Sequence, residues 1–275
     1  MNLKSIYTSL LLFILFIGGC QPANNDGDTY LVAAHRGFHV DVPENSIASI
    51  EKAIHHSIDI VEVDIRISMD GIPVLMHDDT VDRTTNGSGE VAKFKLNELK
   101  ELYLLHQGEV TNHRVPTLEE ALRAAKGKII FDLDLKTTQV EKIIAVVEET
   151  GSHESVVFFD SDWEVLEKVY QAHPNWNLMP RSYNENQAKE AYERFKPWAV
   201  HVDPSFATPE LSQYLRERGS HVWINALGDV DSTLSTGSTY LLEDLINTQG
   251  NIIQTDLPLT VKQYLERNLS SDRSF

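Results

Sequence analysis

The strongest constraint on this chain is an alternation of eight short β-rich runs with helical patterns. The runs are YLVAAHRG (30–37), IVEVDIRI (60–67), KIIFDLDL (128–135), SVVFFD (155–160), WNLMPR (176–181), AVHVDP (199–204), HVWINA (221–226) and NIIQTD (251–256). Amphipathic stretches such as ENSIASIEKAIHHS and QVEKIIAVVEETG lie between them. Eight strand–helix repeats predict a parallel (β/α)8 TIM barrel rather than a doubly wound sheet, which would rarely use so many even repeats. Asn45, Thr117 and Thr208 stand where helix N-caps belong, and Gly127, Gly151, Gly219 and Gly250 where helices stop. One connection is irregular. Residues 69–116 carry DG and NGSG turn signals and read as a small insertion on the rim after the second strand. The barrel domain is expected over residues 30–270.

The first residues have a different character. One basic residue, Lys4, precedes an apolar run from Ile6 to Ile17 that is too short to span a bilayer. Ile17-Gly18-Gly19-Cys20 resembles the lipobox of bacterial lipoproteins. Residues 1–19 are therefore expected to be a lipoprotein signal peptide, Cys20 the lipidated mature N-terminus, and 20–29 a polar tether. This places the protein in the cell envelope after export, held at a membrane through its lipid anchor only. Cys20 is the only cysteine, so the chain has no internal disulfide and no cysteine nucleophile. A net charge of −17 argues against a nucleic-acid partner and weakens adsorption on an anionic membrane. A small anionic substrate needs a metal or local basic residues at its site.

Both faces of a barrel strand are covered, so period-two alternation assigns each side chain a direction. Val61, Val63, Ile65 and Ile67 suit the helix layer, which turns Glu62 and Asp64 inward. In the third run Phe131, Leu133 and Leu135 take the outer face, and Asp132, Asp134 and Lys136 the inner. Converging carboxylates either take up protons, bind a cation, or form a salt-bridge network, here with Arg66 and Lys136. An all-oxygen cluster suits one hard divalent metal, Ca²⁺ or Mg²⁺. His35, ending the first run, and His77, in VLMHDD, fall at the catalytic rim of such a barrel. Two histidines flanking a metal serve as general base and general acid around neutral pH. Arg36 and Lys136 supply donors for a phosphate. His201 and Asp203 on the sixth run are further candidates for the inner face. The chain has no GxSxG elbow, Walker loop, CxxC pair or HExxH helix.

These residues resemble the glycerophosphodiester phosphodiesterases. The family's HRG…PEN[ST] is similar to His35-Arg36-Gly37 and Pro43-Glu44-Asn45-Ser46, and its E-x-D element to Glu62-Val63-Asp64. Asp70-Gly71, Val74 to Asp78, Arg83-Thr84-Thr85-Asn86-Gly87 and Thr255-Asp256-Leu257-Pro258 follow in the family's order. The resemblance implies a TIM barrel with an insertion after the second strand. It also implies a divalent metal held by Glu62, Asp64 and Asp134, the last standing where the family has a longer glutamate. His35 and His77 become the acid–base pair, and Arg36 and Lys136 the phosphate contacts. Glu44 is expected to orient His35, to contact the metal site, or to pack around the Asn45 cap. The family's WTVN motif aligns with Trp223 or with Asn225 but not both, which leaves the direction of Trp223 open. The implied reaction is hydrolysis of a small glycerophosphodiester to glycerol 3-phosphate and an alcohol. The alternatives are a phospholipase D-like release of cyclic phosphate from lysolipids, and a non-catalytic lipid-anchored binding protein.

Overall fold

A computed structural model describes residues 29–125 and 127–268. Cys20, the signal peptide and the tether before Thr29 lie outside the described residues. Among the described residues eleven strands occur in chain order: β1 (Leu31–Ala34), β2 (Ile60–Ile67), β3 (Pro73–Leu75), β4 (Tyr103–His106), β5 (Glu109–Arg114), β6 (Ile130–Leu135), β7 (Val156–Asp160), β8 (Asn177–Ser182), β9 (Ala199–Val202), β10 (His221–Asn225) and β11 (Ile252–Thr255). Eight of them form a closed parallel barrel in the order β1-β2-β6-β7-β8-β9-β10-β11, sealed where β1 pairs with both β2 and β11. The expected (β/α)8 fold is the observed one.

Alternation places the side chains as a doubly covered strand requires. Val61, Val63, Ile65, Phe131 and Leu133 pack outward against helix residues such as Ile50, Leu118, Leu122 and Ile143. Inside, Ala33, Ile60, Val157, Met179, Ala199, Trp223 and Ile252 fill an apolar floor. The polar inward positions therefore collect above that floor, at the C-terminal ends of the strands. Trp223 is fully buried and faces the barrel interior, as does Asn225 two residues on.

Between β2 and β6 the chain leaves the barrel. β3 pairs antiparallel with the end of β2, Ile65 opposite Leu75 and Ile67 opposite Pro73. Gly71 (φ +84°) supplies the left-handed turn between them. The returning arm is held by the Met76 N–H on the Asp64 carbonyl (3.0 Å), so His77 arrives beside the inner carboxylates. The rest of the insertion, through the β4–β5 hairpin, has a small core of its own built on Val74, Val81, Val91, Leu99 and Leu104.

Two local expectations need correction. β1 stops at Ala34 because Arg36 (φ +52°) and Gly37 (φ +79°) turn the chain away from the extended region. A Cβ at position 37 would lie 2.2 Å from Ser49 Oγ, so the turn requires glycine there. Asn45 is not the cap of the helix Ile47–His55. Ser46 caps it, in a reciprocal pair with Ser49, while Asn45 (φ +51°) turns its amide into the barrel. Thr208 and Thr117 do cap their helices, Thr117 in a reciprocal pair with Glu120.

Candidate active site

The site begins with the β2–β6 pair, whose register sets Glu62 beside Asp132 and Asp64 beside Asp134. One oxygen from each of Glu62, Asp64 and Asp134 lies within 4.8 Å of the others. Glu62 and Asp64 are 2% and 1% exposed, so bulk water screens them little. Burial pushes the Glu62 carboxyl well above the usual range, and the charges of Asp64, Asp134 and Asp132 push it further. Asp132 is raised likewise, first by burial and then by Asp134 and Asp64. Asp134 is raised by burial despite its contact with Lys136.

Two cations and an amide hold this cluster. Lys136 Nζ donates to Asp134 Oδ2 (2.6 Å) and lies 3.3 Å from Asp64 Oδ1. Burial works against its charge, but the two carboxylates outweigh this and raise its pKa. Arg36 donates its backbone N–H to Glu62 Oε2 (2.7 Å) and sets its guanidinium Nε 3.5 Å from Asp64. Asn45 grips Asp64 at both ends: its Nδ2 donates to the carboxylate (2.8 Å), and its Oδ1 accepts the Asp64 backbone N–H (3.0 Å). The left-handed backbone at Arg36 and Asn45 is what directs these groups inward.

Both predicted histidines line the same cavity as the carboxylates, and each has a carboxylate behind it. His35 Nδ1 lies 2.7 Å from Asp256 Oδ1, which leaves Nε2 toward the cavity, 4.0 Å from Glu62. His77 Nδ1 lies 2.7 Å from Asp78 Oδ1. Arg83 clamps Asp78 with Nε (2.7 Å) and Nη2 (3.0 Å). The same guanidinium reaches Glu44, whose Oε1 also accepts from Arg36 (3.0 Å). Glu44 thus orients neither His35 nor the cluster directly. Its two oxygens are taken by two arginines, and it ties the insertion to the barrel through them. Arg66, expected in a carboxylate network, instead donates to the His77 carbonyl (2.9 Å). Arg36 and Lys136 each stand beside Asp64.

Sequence reasoning did not assign roles to Asp256, Asp78 or Arg83, and gave Asn45 only that of a helix cap. All four sit inside motifs already noted, but only the tertiary fold shows what they touch. Asp256 was reachable by parity, as the inward position after Ile252 and Gln254.

Fold and site together define a TIM-barrel protein with two carboxylate-anchored histidines beside a candidate cation site at its C-terminal mouth. The chain belongs to the glycerophosphoryl diester phosphodiesterase family, whose profile spans residues 35–187. It is 36% identical over 157 residues to a glycerophosphodiester phosphodiesterase of Caldanaerobacter subterraneus subsp. tengcongensis, an alignment covering 54% of this chain. The chain spans 65% of that relative, just under two thirds of its length. Among solved structures, it resembles a glycerophosphoryl diester phosphodiesterase from Parabacteroides distasonis with a TM-score of 0.78 and 31% identity, over 88% of each chain. It also resembles an Oleispira antarctica phosphodiesterase solved in complex with the product sn-glycerol-3-phosphate, with a TM-score of 0.74 and 26% identity over 86% of this chain and 96% of that one.

Proposed function

We propose that this protein hydrolyses a small glycerophosphodiester to glycerol 3-phosphate and an alcohol, with His35 and His77 as its acid–base pair. The observation that carries the reading is the pair of imidazoles facing one cavity, each anchored through Nδ1 to a carboxylate. An Nδ1–H donated to Asp256 or Asp78 presents Nε2 to the substrate. A neutral Nε2 takes a proton from the attacking hydroxyl or water; a protonated one gives a proton to the leaving alkoxide. Arg36 and Lys136 offset negative charge developing on the phosphoryl oxygens. The product named in the Oleispira relative, sn-glycerol-3-phosphate, supports this substrate class.

Glu62, Asp64 and Asp134 fit a hard divalent cation such as Ca²⁺ or Mg²⁺: their ligand set is all oxygen, and buried Glu62 Oε1 has no hydrogen-bond partner among the described residues. When bound, such an ion polarises a phosphate oxygen and lowers the pKa of a coordinated hydroxyl. The test is a panel of glycerophosphodiesters assayed after chelation, with Ca²⁺, Mg²⁺ or Mn²⁺ restored separately and products read by phosphorus NMR. Open glycerol 3-phosphate is expected, and a cyclic phosphate end product would favour the phospholipase D-like reading instead. Inactivity with every metal, or near-native rates in folded His35→Ala or His77→Ala, would sink the assignment.

The proposal extends to location: Cys20 as a lipid anchor in the cell envelope. Among the described residues no helix is long and apolar enough to cross a membrane. Cys20→Ala is expected to release the protein from the membrane fraction, and retention there would exclude a Cys20 anchor.

A further inference from the structure

The acid–base centre uses only part of the mouth. Four strands around the barrel from β2 lies β9, which brings His201 into the same cavity, with Arg181 of β8 beside it in register. His201 is 3% exposed, yet its Nδ1 has no hydrogen-bond partner among the described residues. Arg181 Nε is likewise buried without a partner, while its Nη2 lies 3.7 Å from Asp203. A buried polar atom left unpaired forfeits its hydration without replacement, and two on adjacent strands facing one cavity call for a common cause.

The chemistry of the two atoms narrows that cause. Burial, aided by the Arg181 charge, pushes the His201 pKa down to about 4, so the ring is neutral at pH 7. Asn225 lines the same cavity, where its Oδ1 accepts from Trp223 Nε1 (3.1 Å). A neutral imidazole carries one N–H and one lone pair, so His201 Nδ1 needs a donor or an acceptor according to its tautomer, whereas Arg181 Nε–H needs an acceptor. A hydroxyl satisfies both groups in either tautomer. An ionised phosphate or carboxylate oxygen offers only an acceptor, and an alkyl group satisfies neither.

We propose that Arg181 and His201 form a subsite that reads the free hydroxyls on the glycerol end of the substrate. The proposal rests on the phosphodiesterase reading above. Size points to the glycerol end: this cavity encloses about 150 Å³. A groove of about 510 Å³ opens beyond Asp256, between Val40 and the hairpin tip at His106, and leaves room for a variable alcohol.

Two diesters with one leaving group test this: glyceryl p-nitrophenyl phosphate and n-propyl p-nitrophenyl phosphate, which lacks the hydroxyls. The wild-type enzyme is expected to favour the glyceryl ester in kcat/KM by roughly 10²-fold, since a site built to bond a hydroxyl rejects the analogue without it. His201→Phe, which keeps a ring against Phe159, and Arg181→Met should each bring that ratio close to one. His201→Gln, which retains an acceptor, should preserve much of it. Should His201→Phe not fold, the partly exposed Arg181 still decides the question. Wild-type activity on both esters with a ratio near one overturns the subsite and leaves the phosphodiesterase reading intact. Folded variants that keep the wild-type ratio overturn the assignment to these residues. Inactivity on both esters overturns the reading on which the proposal rests.

Discussion

Restoring a divalent cation to chelated protein tests the central site without any turnover assay. The three candidate ligand oxygens lie within 4.8 Å of one another, and two of their carboxylates are almost fully buried. Two unit negative charges at that separation repel by about 3 kcal/mol at an effective dielectric of about 20. Lys136 offsets part of this, and the raised Glu62 and Asp134 carboxyls show that protons offset more. A cation replaces repulsion with attraction in the folded state only. At about a hundred times its Kd it adds about 2.7 kcal/mol, which for a chain of this size raises Tm by roughly 5–10 °C. The pH dependence has a definite sign. Glu62 binds its proton more tightly folded than unfolded, so chelated protein loses stability as pH rises above the ordinary 4.5 toward the raised value. The gain on adding Ca²⁺ or Mg²⁺ is therefore largest at the alkaline end and shrinks in acid. Glu62→Gln should abolish both the gain and the loss. Differential scanning calorimetry between pH 5 and 8 measures these shifts. A Tm indifferent to every divalent ion, or a Glu62→Gln protein that responds like wild type, would refute the reasoning.

Three further outcomes are expected. Asp256→Asn removes the carboxylate that fixes the His35 tautomer and should lower kcat by about 10²–10⁴-fold at nearly unchanged Tm; steady-state kinetics giving a rate within about two-fold of wild type would exclude that role. Asn45→Ala removes two hydrogen bonds to Asp64 and places alanine at φ +51°, so urea denaturation should show a loss of about 3–4 kcal/mol. His201 stays neutral until about pH 4, whereas an unfolded histidine protonates near 6.5, so its contribution is present above 6.5 and lost as pH falls toward 4. Relative to His201→Gln, the wild-type protein should lose up to about 3 kcal/mol more across that window in acid denaturation curves. Parallel curves would show that the buried ring is not held neutral.

Much of this protein was determined by local periodicity. Once a strand is covered on both faces, alternation alone sends Glu62, Asp64, Asp132, Asp134 and Lys136 inward, and eight even repeats of strand and helix favour a barrel over an open sheet. The spacing of DG and VLMHDD likewise foretold an arm returning to the rim, because a hairpin is set by its turn. Tertiary structure alone decided what stands behind these groups. Asp256 reaches His35 because β11 closes against β1, a contact between chain ends that no local pattern encodes. Asn45 carries the signature of a helix cap, but burial beside Asp64 gave its amide two better partners. Glu44 meets Arg83 only because the insertion folds back over the mouth. Trp223 had an open direction in sequence and a single one in the barrel, where the apolar floor receives its ring and Asn225 and Gln254 receive its N–H. Side-chain direction follows from neighbours in the chain; side-chain partnership follows from which strands close the ring.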